Sequence, residues 1–149
     1  MRVLMRGGLG WAAVWLTVWL AGCAKATNGP EPLPLDRVNC ARCGMLISSD
    51  ANAAEAQTSG DDTRFYDDIG CLARDPAAAA PSIARFVRLA GGAGWATTES
   101  AWFAFSASAR TPMAHGILAF AAEADARAAD REGRARTWTE IASSSGEAP

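Results

Sequence analysis

The sequence predicts an α+β fold in which short strands flank two helices. Two four-residue apolar runs, Trp102–Phe105 and Ile117–Phe120, are typical of buried strands. The clearest helix spans residues 123–132, where alanines recur, an acidic residue comes first, arginines come later, and Gly133 follows at the position of a helix-ending glycine. A chain of 149 residues with this alternation is expected to form one small domain.

The other elements are predicted from turn residues and from β-favouring side chains. Further strands are expected at residues 46–47, 55–58, Thr63–Tyr66 and 134–141. The pair Asp67-Asp68 precedes a short helix over residues 69–75, which Pro76 stops. Residues 83–89 are compatible with either a strand or a helix. Strand, acidic turn and helix occur twice in this order, which is consistent with a duplicated β-β-α-β unit.

The composition excludes several classes of protein. The chain holds 14 Lys and Arg residues against 16 Asp and Glu residues, for a formal net charge of -2. This balance supplies no basic surface for nucleic acid, so no nucleic-acid partner is expected. Half of the residues are hydrophobic and 20% are charged, which is typical of a globular protein and excludes collagen, coiled coil and wholesale disorder. Four cysteines are too few for a disulfide-dense miniprotein, so they are available for chemistry.

The amino terminus has the pattern of an export signal. Arg2 and Arg6 supply positive charge, and residues 9–21 form an uncharged run that would span roughly 20 Å as a helix, less than the roughly 30 Å hydrocarbon core of a membrane. Leu-Ala-Gly-Cys at residues 20–23 resembles the lipobox of bacterial lipoprotein signals. Residues 1–22 are therefore predicted to be removed, and Cys23 to carry a diacylglycerol thioether that anchors the protein to a lipid membrane. The alternative is an ordinary secretory signal with Cys23 unmodified.

The rest of the chain divides into three parts. Residues 23–35 contain three prolines and little that can pack, so they are expected to form a flexible tether. Residues 36–142 form the predicted domain, and residues 143–149 are expected to be a disordered tail. The predicted lipid anchor places this domain in the cell envelope, facing the periplasm.

The first candidate site is Cys-Ala-Arg-Cys-Gly-Met at residues 40–45. The thiols of Cys40 and Cys43 converge when the loop between them turns, and Gly44 permits the positive φ that such a turn often needs. A metal site, a redox-active dithiol and a small structural disulfide all fit this motif. Met45 adds a thioether, and thiolate with thioether is a soft donor set that favours Cu(I). A lone methionine more often fills a core.

The second candidate site is Thr-Pro-Met-Ala-His-Gly at residues 111–116. Met113 and His115 are two residues apart, so on an extended segment they would present a thioether and an imidazole to one ion. His115 is the single histidine of the chain, which excludes a catalytic zinc centre with two or three histidines built from this protein alone. A solitary histidine is usually a surface residue or a satisfied core residue.

Cys71 is a candidate of second rank, near the start of the predicted helix over residues 69–75. Helix-terminal amides lower the pKa of a thiol there, so Cys71 is either a third thiolate or a buried apolar residue, and burial is favoured. The acidic pairs Asp61-Asp62 and Asp67-Asp68 are interpreted as a turn and a helix cap. No nucleophile or second histidine supports a hydrolase, and no glycine-rich phosphate loop is present.

Together these motifs resemble the NosL family, lipoproteins that handle Cu(I) for the assembly of nitrous oxide reductase. The shared features are the lipobox, Cys-x-x-Cys-Gly-Met, Phe-Tyr-Asp-Asp-Ile-Gly-Cys at residues 65–71, Trp102, Thr-Pro-Met-x-His-Gly-Ile-x-Ala-Phe at residues 111–120, and Trp138 after an alanine-rich helix. The resemblance covers residues 38–141 and is most specific at residues 112–120. One departure is Ala114, where family members often have glycine.

The resemblance implies two β-β-α-β units, related to the carboxy-terminal part of organomercurial lyase. It also implies a periplasmic Cu(I) chaperone rather than an enzyme, with metal ligands at Cys40, Cys43, Met45, Met113 and His115. The implied partner is a copper-accepting enzyme, first of all nitrous oxide reductase. Because the predicted lipid anchor confines the domain near membrane exporters, a membrane copper exporter is expected as the source of the ion. Two alternatives stay open: a thiol-disulfide oxidoreductase using Cys40 and Cys43, and a structural zinc site at Cys40, Cys43, Cys71 and His115.

Overall fold

The computed structural model describes residues 29–58 and 62–145, and it confirms the predicted α+β fold. The first sheet is antiparallel in the order β2-β1-β3-β4, and its strands are β1 (Ala54–Gln57), β2 (Thr63–Tyr66), β3 (Ala84–Arg88) and β4 (Trp95–Thr97). The second sheet pairs β5 (Trp102–Phe105) with β6 (Ile117–Phe120). The helices are α1 (Ile69–Ala73), α2 (Glu123–Ala129) and α3 (Trp138–Ser145). Within the described residues, no helix has both the length and the apolar character needed to cross a bilayer.

The duplicated β-β-α-β arrangement is present. In the first unit, β1 lies between β2 and β3, and α1 connects β2 to β3. In the second unit, β5 pairs with β6 on one side and, after α2, with Arg136 on the other through a single antiparallel bridge to Phe103. A parallel bridge between Leu89 and Ala119 joins the two sheets. Both units therefore have the same strand order, and the last strand of the second is reduced to one residue.

The core lies between the two sheets and the helices α1 and α3. All four residues of β1 are buried because this strand has a neighbour on each edge. The Glu55 carboxylate accepts hydrogen bonds from the Gln57 amide and from the backbone N–H of Glu31, whereas the buried Gln57 amide oxygen has no partner among the described residues. The largest apolar side chains in the core are Tyr66, Phe103, Ile47, Ile69, Leu72 and Ile141.

The prediction of a final strand over residues 134–141 is wrong. Only Arg136 pairs with a strand, and helix α3 begins at Trp138. The local cause is a capping box, because the Glu140 carboxylate accepts both the backbone N–H of Thr137, at 2.7 Å, and its hydroxyl, at 2.9 Å. The helix buries Ile141 and sets the Trp138 ring 5.7 Å from that of Phe103. The β-favouring run Thr137-Trp138-Thr139 indicates a strand, but the apolar residues Ala135, Trp138 and Ile141 are three residues apart, a spacing that fits a helix.

The predicted tether and tail are in part ordered against the domain. In the described part of residues 23–35, the carbonyl of Gly29 accepts the Gln57 amide and Leu33 packs on the core. At the other end, α3 continues to Ser145, three residues into the predicted tail. The signal segment, Cys23 and residues 146–149 lie outside the described residues.

Other element boundaries differ by a few residues. Helix α2 ends at Ala129, earlier than predicted, because Asp130 adopts an extended conformation and binds backbone N–H groups. Helix α1 ends at Ala73, and Asp75 caps a short 3-10 turn over Pro76–Ala78. The strand expected at residues 46–47 is a single bridge between Asn39 and Leu46.

Candidate metal centre

A tight turn positions the Cys-x-x-Cys motif. The Cys40 N–H donates to the Met45 carbonyl at 2.7 Å, and the Gly44 N–H donates to the Cys40 carbonyl at 2.9 Å. Gly44 has φ 78°, the left-handed conformation that glycine adopts readily, as expected from the sequence. The Ala41 N–H donates to the carbonyl of Phe65, the third residue of β2. The motif is therefore held beside the end of β2.

The second part of the site is the two-residue connection between β2 and α1. Asp68 caps α1, since its carboxylate accepts the Gly70 N–H at 2.8 Å, and this leaves Asp67 directed towards the Cys-x-x-Cys turn. Cys71 follows in the first turn of the helix and is buried. The short connection thus brings a carboxylate and a thiol to the same place.

Four donor atoms meet here. The thiols of Cys40, Cys43 and Cys71 and a carboxylate oxygen of Asp67 all lie within 4.8 Å of one another. The Cys43 thiol donates to both Asp67 oxygens, at 3.6 and 3.7 Å. Cys40 and Cys71 are buried and Cys43 is partly exposed, so the group lies just below the surface. We call these four residues the thiol cluster.

The thiol cluster favours one negative charge on Cys40. The pKa of Cys40 is lowered, chiefly because the Cys71 thiol donates a hydrogen bond to its sulfur. Burial alone would raise this pKa, but the Cys71 contact and donation from the backbone N–H groups of Cys43, Asp67 and Arg42 outweigh burial. The same contact with Cys40, together with burial, raises the pKa of Cys71. Burial also raises the pKa values of Cys43 and Asp67. The metal-free site is therefore one thiolate stabilised by neighbouring thiols, and binding a cation to all three sulfurs releases protons.

The loop between β5 and β6 packs directly against α1. Asp68 is fully buried, and its second carboxylate oxygen accepts the Met113 N–H at 3.0 Å. The His115 side chain lies over Gly70, so closely that a β-carbon at residue 70 would be 2.1 Å from His115 Cδ2 and 2.6 Å from its Cβ. Gly70 is thus required by the imidazole rather than by its own backbone, because its φ is not positive. Burial lowers the pKa of His115, which favours the neutral ring.

The expected extended arrangement of Met113 and His115 is wrong. The Ala114 N–H donates to the Thr111 carbonyl at 2.9 Å, and Ala114 has φ 56°, so the segment is a turn. Residue 114 is the position where members of the family that the sequence resembles often have glycine. The left-handed conformation of Ala114 explains this preference, because glycine adopts it without strain. The turn places His115 against α1, whereas Met113 is 38% exposed.

The sequence-predicted residues fall into two groups. Cys40 and Cys43 meet in the thiol cluster together with Cys71, which is both buried and a member of the cluster. Met113 and His115 lie on the adjoining loop and do not belong to the described four-residue group. Met45 is 49% exposed, so it does not fill the core. All three described cysteines are free thiols, and the Cys-x-x-Cys turn is not followed by a helix.

Asp67 is the member of the thiol cluster that sequence reasoning missed. It was interpreted as part of a helix cap, a role that Asp68 alone fills. Its spacing of four residues from Cys71 across a helix start was the available signal, because residues so placed can approach the same point.

Comparisons with known proteins identify the fold. A scan against protein-family models gives no match, and a search of curated proteins gives none. Among solved structures, the crystal structure of the copper chaperone NosL from Shewanella denitrificans matches with a TM-score of 0.60 and 19% sequence identity. The match covers 74% of this chain and 94% of that one. The chain therefore has the fold of that structure.

Proposed function

We propose that this protein is a non-enzymatic Cu(I) chaperone, which binds the ion as cargo and passes it to a partner. The observation that carries the proposal is the convergence of three free thiols, Cys40, Cys43 and Cys71, on one point just below the surface. The fold shared with a solved copper chaperone supports it independently.

The donor chemistry favours a soft ion. Thiolate and thioether sulfur select Cu(I) over magnesium, calcium or manganese. The thiol cluster supplies three sulfurs. Two exposed thioethers are further donors: Met45 follows Cys43 by two residues, and Met113 is hydrogen-bonded through its backbone N–H to Asp68, the neighbour of Asp67. The neutral imidazole of His115, which packs on Gly70 one residue before Cys71, is a further donor.

The proton balance of the thiol cluster suits release as well as binding. Capture of Cu(I) by three thiolates displaces the protons of Cys43 and Cys71, whose pKa values are raised. When an acceptor's ligands replace these sulfurs one by one, each thiol takes its proton back. Cys43, Met45 and Met113 are accessible, so exchange begins from the surface side.

We further propose that the chaperone acts in the cell envelope, facing the periplasm, with Cys23 lipidated. The support is the lipobox-like sequence before Cys23 and the apolar run that precedes it. Nitrous oxide reductase is the proposed acceptor, on the sequence resemblance described above, and a membrane copper exporter is the proposed source.

Asp67 favours one competing function, a structural zinc site. Three cysteines and one carboxylate make the four-ligand set of a closed tetrahedral zinc centre, with Asp67 in the position that the sequence assigned to His115. A carboxylate is a harder donor than Cu(I) prefers. The two functions make opposite predictions about metal exchange.

Anaerobic metal analysis of the intact protein separates these functions. We expect one Cu(I) per chain, retained against a competing Cu(I) chelator and transferred to it when the chelator is in excess. One tightly held Zn²⁺ that added Cu(I) does not displace would establish the structural site instead. Metal-free protein that binds neither ion would contradict both proposals.

The lipid anchor has its own test. Cys23→Ser is expected to abolish incorporation of labelled fatty acid and to leave the signal segment uncleaved, because the thioether is the substrate for processing. Cys71→Ser is the matched control, since it changes a cysteine outside the lipobox. Unchanged labelling and processing of the Cys23 variant would contradict the anchor.

A further inference from the structure

The arginines in the described part of the chain fall into two groups. Seven form ion pairs with described carboxylates, namely Arg64, Arg85, Arg88, Arg127, Arg131, Arg134 and Arg136. Four are exposed and form no ion pair with a described carboxylate: Arg37, Arg42, Arg74 and Arg110. The whole chain has a net charge of -2, so this unpaired positive charge is a local feature.

Three of the unpaired arginines belong to segments that build the candidate metal centre. Arg42 lies between the two cysteines of the Cys-x-x-Cys turn, and its backbone N–H donates to Cys40. Arg74 is the C-cap of α1, and its charge acts on His115. Arg110 lies on the β5–β6 loop that also carries Met113 and His115. Three separate segments of the candidate metal centre thus carry one exposed arginine each.

A cavity continues this positive surface next to His115. It is open, has a volume of about 750 Å³, and is lined by His115, Arg110, Arg131 and the side chains of Ser106, Ser108 and Thr111. Arg131 lies over the Phe105 ring at 5.6 Å and has only a loose contact, 3.7 Å, with the Glu132 carboxylate. Guanidinium and hydroxyl groups along one wall are donors suited to carboxylates.

We propose that Arg42, Arg74, Arg110 and this cavity form a docking surface for a carboxylate-rich face of the protein that exchanges copper with this one. The inference rests on the proposed function, because ligand exchange requires the partner to reach the metal centre that the segments carrying these arginines build. An acidic face opposite them speeds encounter and fixes the orientation in which the partner's ligands meet Cys43. A membrane lipid would satisfy the same charge but would cover the site through which the ion must leave.

Copper transfer to two synthetic peptides tests this surface. Both carry the same methionine-rich Cu(I)-binding core, which glutamates flank in one and glutamines in the other. At low salt we expect the loaded protein to transfer copper to the glutamate peptide about tenfold faster, and the ratio to approach one at about 0.5 M salt. The ratio is the readout because any effect on the stability of the copper complex enters both rates equally.

Two triple variants locate the effect. Arg42→Gln, Arg74→Gln and Arg110→Gln together are expected to lower the low-salt ratio to within about twofold of one, since the steering charge is gone. Arg88→Gln, Arg127→Gln and Arg134→Gln remove the same charge from ion-paired positions and should keep the parent ratio. Equal rates for both peptides with the parent, or an unchanged ratio in the first variant, would overturn the docking surface.

Two further outcomes are distinguishable. If the parent shows no peptide preference but binds phosphatidylglycerol vesicles through the same three arginines, the ligand is an anionic lipid and the proposal is wrong. If the protein binds no Cu(I), the proposed function fails. Perturbation of Arg110 and His115 resonances by the glutamate peptide alone would then still establish the acidic docking surface, and its absence would refute it.

Discussion

The two β-β-α-β units use the same backbone path at their strand-to-helix connections, but only the first places donor groups there. In the first unit, β2 ends at Tyr66, two residues follow, and α1 starts at Ile69; in the second, β6 ends at Phe120, two residues follow, and α2 starts at Glu123. Matched positions in the two connections carry Asp67 and Ala121, Asp68 and Ala122, Gly70 and Ala124, and Cys71 and Asp125. The fold therefore supplies a repeated frame, and in the first copy these differences place the Asp67 carboxylate and the Cys71 thiol beside Cys40 and Cys43.

The units also differ in how a carboxylate after the helix is compensated. Asp130 follows α2, is buried, and pairs with Arg136, whose side chain is only 8% exposed. Asp75 follows α1, also buried, and binds the Tyr66 hydroxyl and Arg64, whose side chain is 34% exposed. The second unit thus has the more deeply buried ion pair, which fastens its reduced third strand, whereas the first unit has the reactive residues.

The largest expected effect is on stability, from Asp130→Asn. Arg136 would lose its buried charged partner and keep only the half-exposed Glu132, so unfolding should become easier by about 3 kcal/mol, the lower end of the cost of breaking a buried ion pair. Asp75→Asn, the matched change in the first unit, should cost only about 1–2 kcal/mol because water reaches Arg64. Urea denaturation at pH 7 measures both. An equal loss of unfolding free energy in both variants would contradict the proposed difference between the two ion pairs.

The stability difference between the parent and Asp130→Asn should also depend on pH. Burial would raise the pKa of Asp130, but N–H donation from Glu132, Phe105 and Arg134, with the charge of Arg136, lowers it to about 2. In an unfolded chain the carboxyl has a pKa of about 3.9, so its contribution is complete above about pH 5 and is lost as pH falls through 2. The stability gap between parent and Asp130→Asn should therefore narrow below pH 5. A gap that stays constant to pH 2.5 would contradict the lowered pKa.

The next effect concerns the metal and compares Cys71 with its matched residue in the second unit. Cys71→Ser removes a sulfur from the thiol cluster, so Cu(I) affinity should fall by more than about 100-fold, since loss of outer-shell partners alone costs about 10- to 100-fold. Asp125→Ser, at the same position of α2, should leave the affinity unchanged. A competition titration with a Cu(I) chelator measures both. Full affinity in the Cys71 variant would exclude the Cys71 thiol from the ligands of Cu(I).

A smaller effect is expected at Gly70. An alanine there would collide with the His115 side chain down to its Cβ, so the imidazole must leave α1. If His115 completes the copper site, Gly70→Ala lowers Cu(I) affinity by about tenfold, the cost of a displaced supporting ligand. The matched change Ala124→Gly should cost helix stability but leave copper binding intact. His115 resonances that are the same in parent and Gly70→Ala would show that the ring does not lie on α1.

Much of the fold was predictable, because buried strands such as Trp102–Phe105 have strong local signals. Strand β1 is the central strand of the larger sheet, although its sequence Ala-Glu-Ala-Gln has no β-favouring side chain, because its burial comes from a neighbouring strand on each side. Helix α3 was missed because the contact of the Glu140 carboxylate with Thr137 at the helix start competes with the β-favouring run Thr137-Trp138-Thr139. Pairing with distant strands determines β1, and a cap determines the start of α3. Neither interaction can be detected from the periodicity of apolar residues.

The candidate site was predictable in its sulfur ligands and not in its geometry. Cys40 and Cys43 are neighbours in sequence, so their convergence follows from one turn. Bringing Cys71 and Asp67 to the same point depends on the Ala41 hydrogen bond to Phe65, a contact between distant segments. The contact of His115 with Gly70 joins the two units, and it cannot be predicted from the local sequence around either residue.

The smallest expected effect is a gain in the second unit, from Ala122→Asp. Ala122 already has the extended conformation of an N-cap, φ −116° and ψ 139°, close to that of Asp68, but has no side chain to cap the helix. An aspartate there can accept a free N–H at the start of α2, which should stabilise the protein by about 0.5–1 kcal/mol. The gain is limited because Glu123 and Asp125 already make the first turn acidic. Ala122→Asn, which caps without charge, should therefore gain slightly more, and copper affinity should be unchanged in both. A loss of stability in both variants, measured in urea, would mean that the two connections are not equivalent, because a side chain that caps α1 would then fail on the matching backbone of α2.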